Sequence, residues 1–359
     1  MRKAARGAAF LADGSLYGVD TQMKFALSVL DLVPVTAGST ATEAIGQMVE
    51  LAQRAEALGY TRFWLAEHHG MPNIASSSPE ILITRAARET KHIRVGAGGI
   101  MLPNHAPLRV AEIFHTLEAM YPGRIDLGIG RAPGTDPVTS AALRRFDPNE
   151  FPAQLQELFM LSQRAFPAEH PFHKVRVIPE DVSLPPVWLL GSSGASAGLA
   201  GRLGLGYGFA SHFSFTPPGP AIEAYRQAFE PSEQFPEPHV ILGVTVICAP
   251  TDEEADFLAG TMDVMWVRLQ RGEVGRLPSP EEAVKYKAEF TPEERLVAQR
   301  YRSLAFVGSP ETVRAGLERV AAETGADELM VTCMAYGHQE RLRTFELLAE
   351  AFALAPAEV

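Results

Sequence analysis

Four short stretches of the chain carry residue types that could do chemistry together: Glu67, His68 and His69; the pair Gly98 and Gly99; Gly130 and Arg131; and Gly191, Ser192, Ser193, Gly194 and Ser196. The last is an anion-binding arrangement, because glycines free backbone N–H groups, serines add hydroxyls and a helix starting there adds its positive end. Arg131 supplies a planar guanidinium able to grip a phosphate through two parallel hydrogen bonds. Taken alone, the serines are better read as helix caps, and it is the arginine at a neighbouring strand end that turns the reading toward a ligand. No Lys-Ser/Thr pair closes the stretch, so it is not a Walker loop. His68, as a neutral imidazole in a cleft, could exchange a hydrogen bond or a proton with an oxygen while Glu67 orients it. The alternative is a pair of histidines satisfied within the loop layer. A metal site is disfavoured, since adjacent histidines point in different directions along an extended chain and no third ligand stands at metal spacing. Gly98 and Gly99 follow the β-branched Ile93 and Val95, and their missing Cβ atoms would let a flat ligand approach the backbone. A bend or bulge at a sheet corner would use the same residues.

Each stretch falls at the end of an apolar run, and the runs alternate with helical patterns. Residues 25–30, 62–66, 93–102, 125–129, 187–190, 207–210, 239–247 and 328–332 read as strands, several without a polar break, as expected of a parallel sheet covered on both faces. Between them apolar residues recur at helical spacing, as in Ile45, Met48, Val49, Ala52 and Ala55, where Gly59 stops the run. Eight strands, each with a helix before the next, predict a (β/α)8 TIM barrel, with a doubly wound open sheet as the alternative. In a barrel the C-terminal strand ends carry the site, which is where the four stretches lie. Residues 270–303 break the alternation before the last strand; rich in Glu, Lys, Arg and Pro, they read as a lid, a dimer-facing insertion or a solvated excursion.

Composition narrows the partners. Of 359 residues 46% are apolar and 21% charged, enough for a large buried core, and 359 residues are within reach of a single barrel. A net charge of −11 argues against nonspecific attraction to nucleic acid or to an anionic membrane face, leaving a small molecule as the expected partner. No apolar run approaches the roughly 20 residues that cross a bilayer. Cys248 and Cys333 are too few and too far apart in sequence for a metal cluster; Cys248 reads as core filling, and a reducing cytoplasm fits. Residues 1–22 read as an N-terminal extension, either an over-called start or a flexible arm, ahead of one domain over residues 23–359.

With these stretches in order, the chain resembles the bacterial luciferase-like family of flavin-dependent monooxygenases, and within it the single-chain relatives. WLAEHHG at 64–70, RVGAGGIMLPNHAPLRVAE at 94–112, YPGRIDLGIGRAPGT at 121–135 and GSSGASAGLAGRLGLGYGFA at 191–210 carry the resemblance. It implies a (β/α)8 barrel with flavin mononucleotide (FMN) across the strand C-termini. It places Gly98 and Gly99 at the family's non-proline cis peptide beneath the flavin ring, and Arg131, Ser192, Ser193 and Ser196 at the phosphate, with Gly194 giving backbone access. His68 matches the active-site histidine implicated in handling the flavin peroxide. The resemblance further implies reduced FMN from a separate NAD(P)H-dependent reductase, O2 as co-substrate, oxidation of a small organic molecule and a homodimer. Gly130 replaces the reactive cysteine of luciferase and Ser192 an acidic residue, so light emission is not implied. Family members that move hydride with a deazaflavin, and members that bind flavin without turnover, are the alternatives. The deazaflavin's longer anionic tail would call for more basic residues than Arg131. Met71, Met101, Phe213, Phe215 and Trp266 are candidates for an apolar substrate pocket or for ordinary packing.

Overall fold

The apolar runs become parallel strands, β1 (Ala26–Asp31), β2 (Arg62–Leu65), β3 (Arg94–Met101), β4 (Ile125–Gly130), β5 (Val187–Gly191), β6 (Gly206–Ala210), β7 (Val240–Cys248), β8 (Ala305–Gly308) and β9 (Glu328–Thr332). The computed structural model describes residues 25–144, 147 and 149–356. The expected N-terminal extension at 1–22 lies outside the described residues. Strands β1 to β7 pair in chain order except that β7 joins β6 on one side and β9 on the other, and β9 pairs with β1. That closes an eight-stranded (β/α)8 barrel and removes the open-sheet alternative.

The ninth strand corrects the strand count read from sequence. Strand β7 is nine residues long. Its middle, Ile241–Thr245, pairs with β9, and its end, Thr245–Cys248, continues alongside β8. Residues 270–303 are not irregular either: they contain the helices Pro280–Ala288 and Pro292–Arg302. Both begin with a capping box, Ser279 with Glu282 and Thr291 with Glu294, in which each side chain satisfies the other's backbone N–H. Few of their side chains are buried, so end-capping, not an apolar stripe, marks them. The helix Pro310–Thr324 then leads to β9.

Side chains alternate across the barrel wall. Those pointing outward, such as Leu27, Phe63 and Leu127, join the surrounding helices in the main core. Those pointing inward fill the barrel in layers. One layer holds Trp64 and Trp188 edge to face at 5.6 Å, with Leu30, Ile241 and Met330. Toward the strand N-termini lies an ionic layer in which Arg62 joins Glu328 and Asp126. The opposite end remains hollow.

Candidate active site

The hollow end is a cavity of about 1000 Å³ at the C-terminal strand ends. His68, Gly98, Gly99, Arg131, Ser192, Ser193 and Ser196, from four separate stretches of sequence, all line it. Two expected members do not. Gly194, at φ +76°, is the left-handed residue that turns the serine loop, and a Cβ there would lie 3.1 Å from Ala221, away from the cavity. Glu67 is buried behind the wall.

Glu67 also overturns the role read for it, which was to orient His68. In an extended segment neighbouring side chains take opposite faces, and the Glu67 carboxylate turns from His68 to His69 Nε2 at 2.8 Å and His105 Nε2 at 3.0 Å. It also accepts from the Met101 N–H at 2.8 Å and the Asn104 amide at 3.2 Å. Burial alone would raise its pKa, but these donors, His105 foremost, hold it below the usual carboxylate value. Glu67 thus braces the tip of β3, three residues from Gly98.

Gly98 and Gly99 form the bulge that one reading of them expected, and they do so at the edge of the cavity. The peptide between them is cis, they border the cavity, and the β3–β4 register shifts between Ala97 and Ile100 as at a bulge. The need for glycine differs from the expectation, however. A Cβ on Gly98 would meet the Leu30 side chain at 2.8 Å, and one on Gly99 the Gly128 carbonyl at 2.6 Å. Close strand packing thus calls for glycine at 99, where the obstacle is backbone, and favours it at 98.

The serine loop keeps its hydroxyls largely uncommitted. Ser196 precedes the helix Ala197–Arg202 without a side-chain capping bond, so the capping reading fails here. The helix has only six residues, so its dipole adds little to the donors of the loop itself. Arg131 has no ion-pair partner among the described residues and reaches the same cavity from the end of β4.

Two imidazoles share the cavity with these groups. His68 follows β2 and His212 follows β6, strands on opposite sides of the barrel, and both line the cavity. Burial pushes His68 down to about 4, with Glu67 opposing the shift and His69 adding to it. Burial likewise takes His212 to about 4, and a charge on His68 would lower it further. The Nδ1 atoms of both are buried without a hydrogen-bond partner. Gly243 makes room for His212, because a Cβ there would come within 2.7 Å of its Nδ1. Sequence spacing does not link His212 to His68; their opposition appears when the barrel closes.

The outer wall comes from the segment that breaks the βα alternation. Residues 273–278 border the cavity and are tied to the β1 loop by the Ala37 N–H donating to the Leu277 carbonyl at 2.8 Å. Trp266 and Tyr301 stack at 4.0 Å and also line it. Of the other apolar candidates Met71, Met101 and Phe213 face the cavity, whereas Phe215 packs on Tyr301 under Arg300. Arg268 and Arg276, which the sequence reading missed, reach the cavity from this wall. The two cysteines are buried in the core, and burial raises Cys248 to about 12, as befits packing, not reactivity. Among the described residues no three His, Cys, Asp or Glu side chains group as metal ligands, and no helix is long and apolar enough to cross a membrane.

Comparison with known proteins gives these features a context. The family model described as luciferase-like monooxygenase matches residues 23–328. A protein of Escherichia coli K12 named luciferase-like monooxygenase is 44% identical over 331 residues, 91% of this chain and 97% of that one. The N-acetyl-S-alkylcysteine monooxygenase of Bacillus subtilis is 33% identical, covering 90% of this chain and 97% of its own. Among solved structures, apo-MsnO8 superposes with a TM-score of 0.84 at 40% identity, covering 92% of this chain and 98% of that one.

Proposed function

The chain belongs to the luciferase-like monooxygenase family, and from that premise we propose that it oxidises a small organic molecule with reduced FMN and O2. One observation carries the proposal: a guanidinium without an ion-pair partner among the described residues, Arg131, and the serine hydroxyls of the 191–196 loop share one cavity with the neutral imidazoles of His68 and His212. A phosphate suits the first set of groups, and a flat ring suits the glycine edge of β3. Bound reduced FMN supplies the two electrons with which O2 is divided between the substrate and water. Arg131, Ser192, Ser193 and Ser196 hold the phosphate, and Gly98 and Gly99 support the ring. Glu67 fixes the strand beneath it. His68 and His212 present uncharged nitrogens that accept or return a proton at the reacting oxygen. The apolar wall around Met101, Phe213 and Trp266 excludes water from that oxygen.

The family resemblance extends the proposal to a separate NAD(P)H-dependent reductase, a homodimer and a cytoplasmic setting. A relative named for an N-acetyl-S-alkylcysteine puts organosulfur compounds first in a substrate screen. A deazaflavin is the competing cofactor. Basic residues beyond Arg131 do line the cavity, but they stand across it from Arg131 and not beside it, which favours the shorter FMN.

Titration of the purified protein with oxidised FMN, reduced FMN and a deazaflavin, then exposure to isotopically labelled O2 with organosulfur candidates, tests the reading. The expected result is preference for reduced FMN and labelled oxygen in the product. Preference for the deazaflavin would replace oxygenation with hydride transfer, and flavin binding without any oxygenated product would leave a flavin carrier.

A further inference from the structure

The cavity has a second cationic pole. Arg276 donates to the Ser39 carbonyl at 2.8 Å, and its neighbour Leu277 bridges to Thr36, so it is fixed over the β1 side of the barrel. Arg268 lies over the Tyr286 ring at 4.4 Å. Both guanidinium groups are therefore held by neutral partners, a carbonyl and a ring face, and among the described residues neither pairs with a carboxylate. Their neighbour Arg271, which does not line the cavity, shows the usual alternative, an ion pair with Glu294 at 2.7 Å.

Position separates this pole from the proposed phosphate site. Arg131 and the serine loop sit at the ends of β4 and β5, whereas Arg276 is anchored beside β1, on the opposite side of the closed barrel. Between them the wall is apolar, with Met262, Met265, Trp266 and Leu277 among its members. Glu273 is the only carboxylate among the described residues lining the cavity, against three arginines, in a chain of net charge −11. A cavity whose charge runs against that of the whole protein concentrates anions.

We infer that Arg268 and Arg276 bind an anionic group, a carboxylate or its equivalent, at the end of an apolar substrate whose reacting part lies toward His68 and His212. The inference rests on the flavin reading and narrows its substrate class. Guanidinium groups already oriented by neutral partners gain more from a carboxylate than from a hydroxyl of the same chain, because charge-assisted hydrogen bonds are the stronger kind.

The test uses octanoate, octan-1-ol and octylammonium as probes, titrated calorimetrically into the full-length protein saturated with FMN, so that Arg131 is occupied. Octanoate should bind at least about tenfold tighter than the alcohol and the ammonium ion, and the gap should narrow at high salt. In Arg268→Met/Arg276→Met the gap should close while FMN affinity stays unchanged. Equal affinities for the three probes, or an octanoate preference that survives in the double variant, would overturn the inference. The probe series on the unaltered protein decides the matter even if the variant folds poorly. Failure of FMN to bind would instead remove the flavin reading, and the octanoate contrast, read without FMN, would still judge the arginine pair.

Discussion

Arg62 Nε lies 3.0 Å from both carboxylate oxygens of Glu328, and its Nη1 lies 2.9 Å from Asp126, inside the barrel floor where both acids are wholly buried. The pairing joins β2 to β9 and β4, strands that are not mutual neighbours, with a single side chain. Trp64 Nε1 and Arg94 add further donors to Asp126. Removing the arginine would leave the buried Glu328 charge with only Ser28 and His239 as partners, while Asp126 keeps Arg94. Arg62→Met is expected to destabilise the fold by about 3–5 kcal/mol, measured by urea denaturation; a loss below about 1 kcal/mol would show that water takes over the pairing.

The same pairing sets an acid limit on stability. Burial pushes the Glu328 carboxyl upward, but Arg62, His239 and Ser28 outweigh it and hold the group at about 2 instead of 4.5. A carboxyl depressed in the folded state contributes stability that is fully present above its unfolded value and fades as pH falls toward the folded one. Unfolding free energy should therefore be steady from neutrality down to about pH 5 and drop between 4.5 and 2. Glu328→Gln should flatten that drop, and an unchanged slope in this variant would assign acid sensitivity to other groups.

His68 and His212 make a kinetic prediction of the opposite kind. With both near 4, a pH profile of kcat should show no break at the ordinary imidazole value of 6.5. His68→Ala should lower kcat by about 100-fold with FMN affinity preserved, and His212→Asn should lower it as well. Full turnover in His68→Ala would remove the assigned role, and a break near 6.5 that vanishes in either variant would show that the imidazoles charge during the cycle.

Glu67 acts at one remove, through the backbone of β3. Glu67→Gln retains an acceptor for the Met101 N–H but loses charge-assisted bonds to His69 and His105. Glu67→Ala leaves partly buried donors unsatisfied, at up to about 1–3 kcal/mol each. The expected order of both melting temperature and FMN affinity is wild type, Gln, Ala. Unchanged FMN affinity in Glu67→Ala, alongside a lower melting temperature, would confine Glu67 to stability.

What could be read before folding depended on how local the cause was. The run FALSVL at 25–30 signals a buried strand within six residues, and the strand-end glycines and serines are equally local. The helices at 280–288 and 292–302 were hidden because few of their side chains are buried, although Ser279-Pro-Glu-Glu and Thr291-Pro-Glu-Glu spell out their first turns. Strand β8 is only four residues long and takes its place solely by pairing with β7. The turn of Glu67 away from His68 depends, besides His69, on partners 34 to 38 residues away. His212 meets His68 only through barrel closure, and Arg268 and Arg276 lie on no strand end at all.

The fork at β7 has a mechanical consequence. The chain leaves that strand into the helix Asp252–Gln270, builds the cavity's outer wall, and returns through β8 to the far end of the same strand, from Thr245, the last residue paired with β9, onward. The detour begins and ends on one support, like a handle fixed to a cup at both of its ends. Its length and shape can change without altering the circumference of the barrel. The cavity wall carried on this detour can thereby be reshaped while the wall built on β3, β4 and β5 stays as it is.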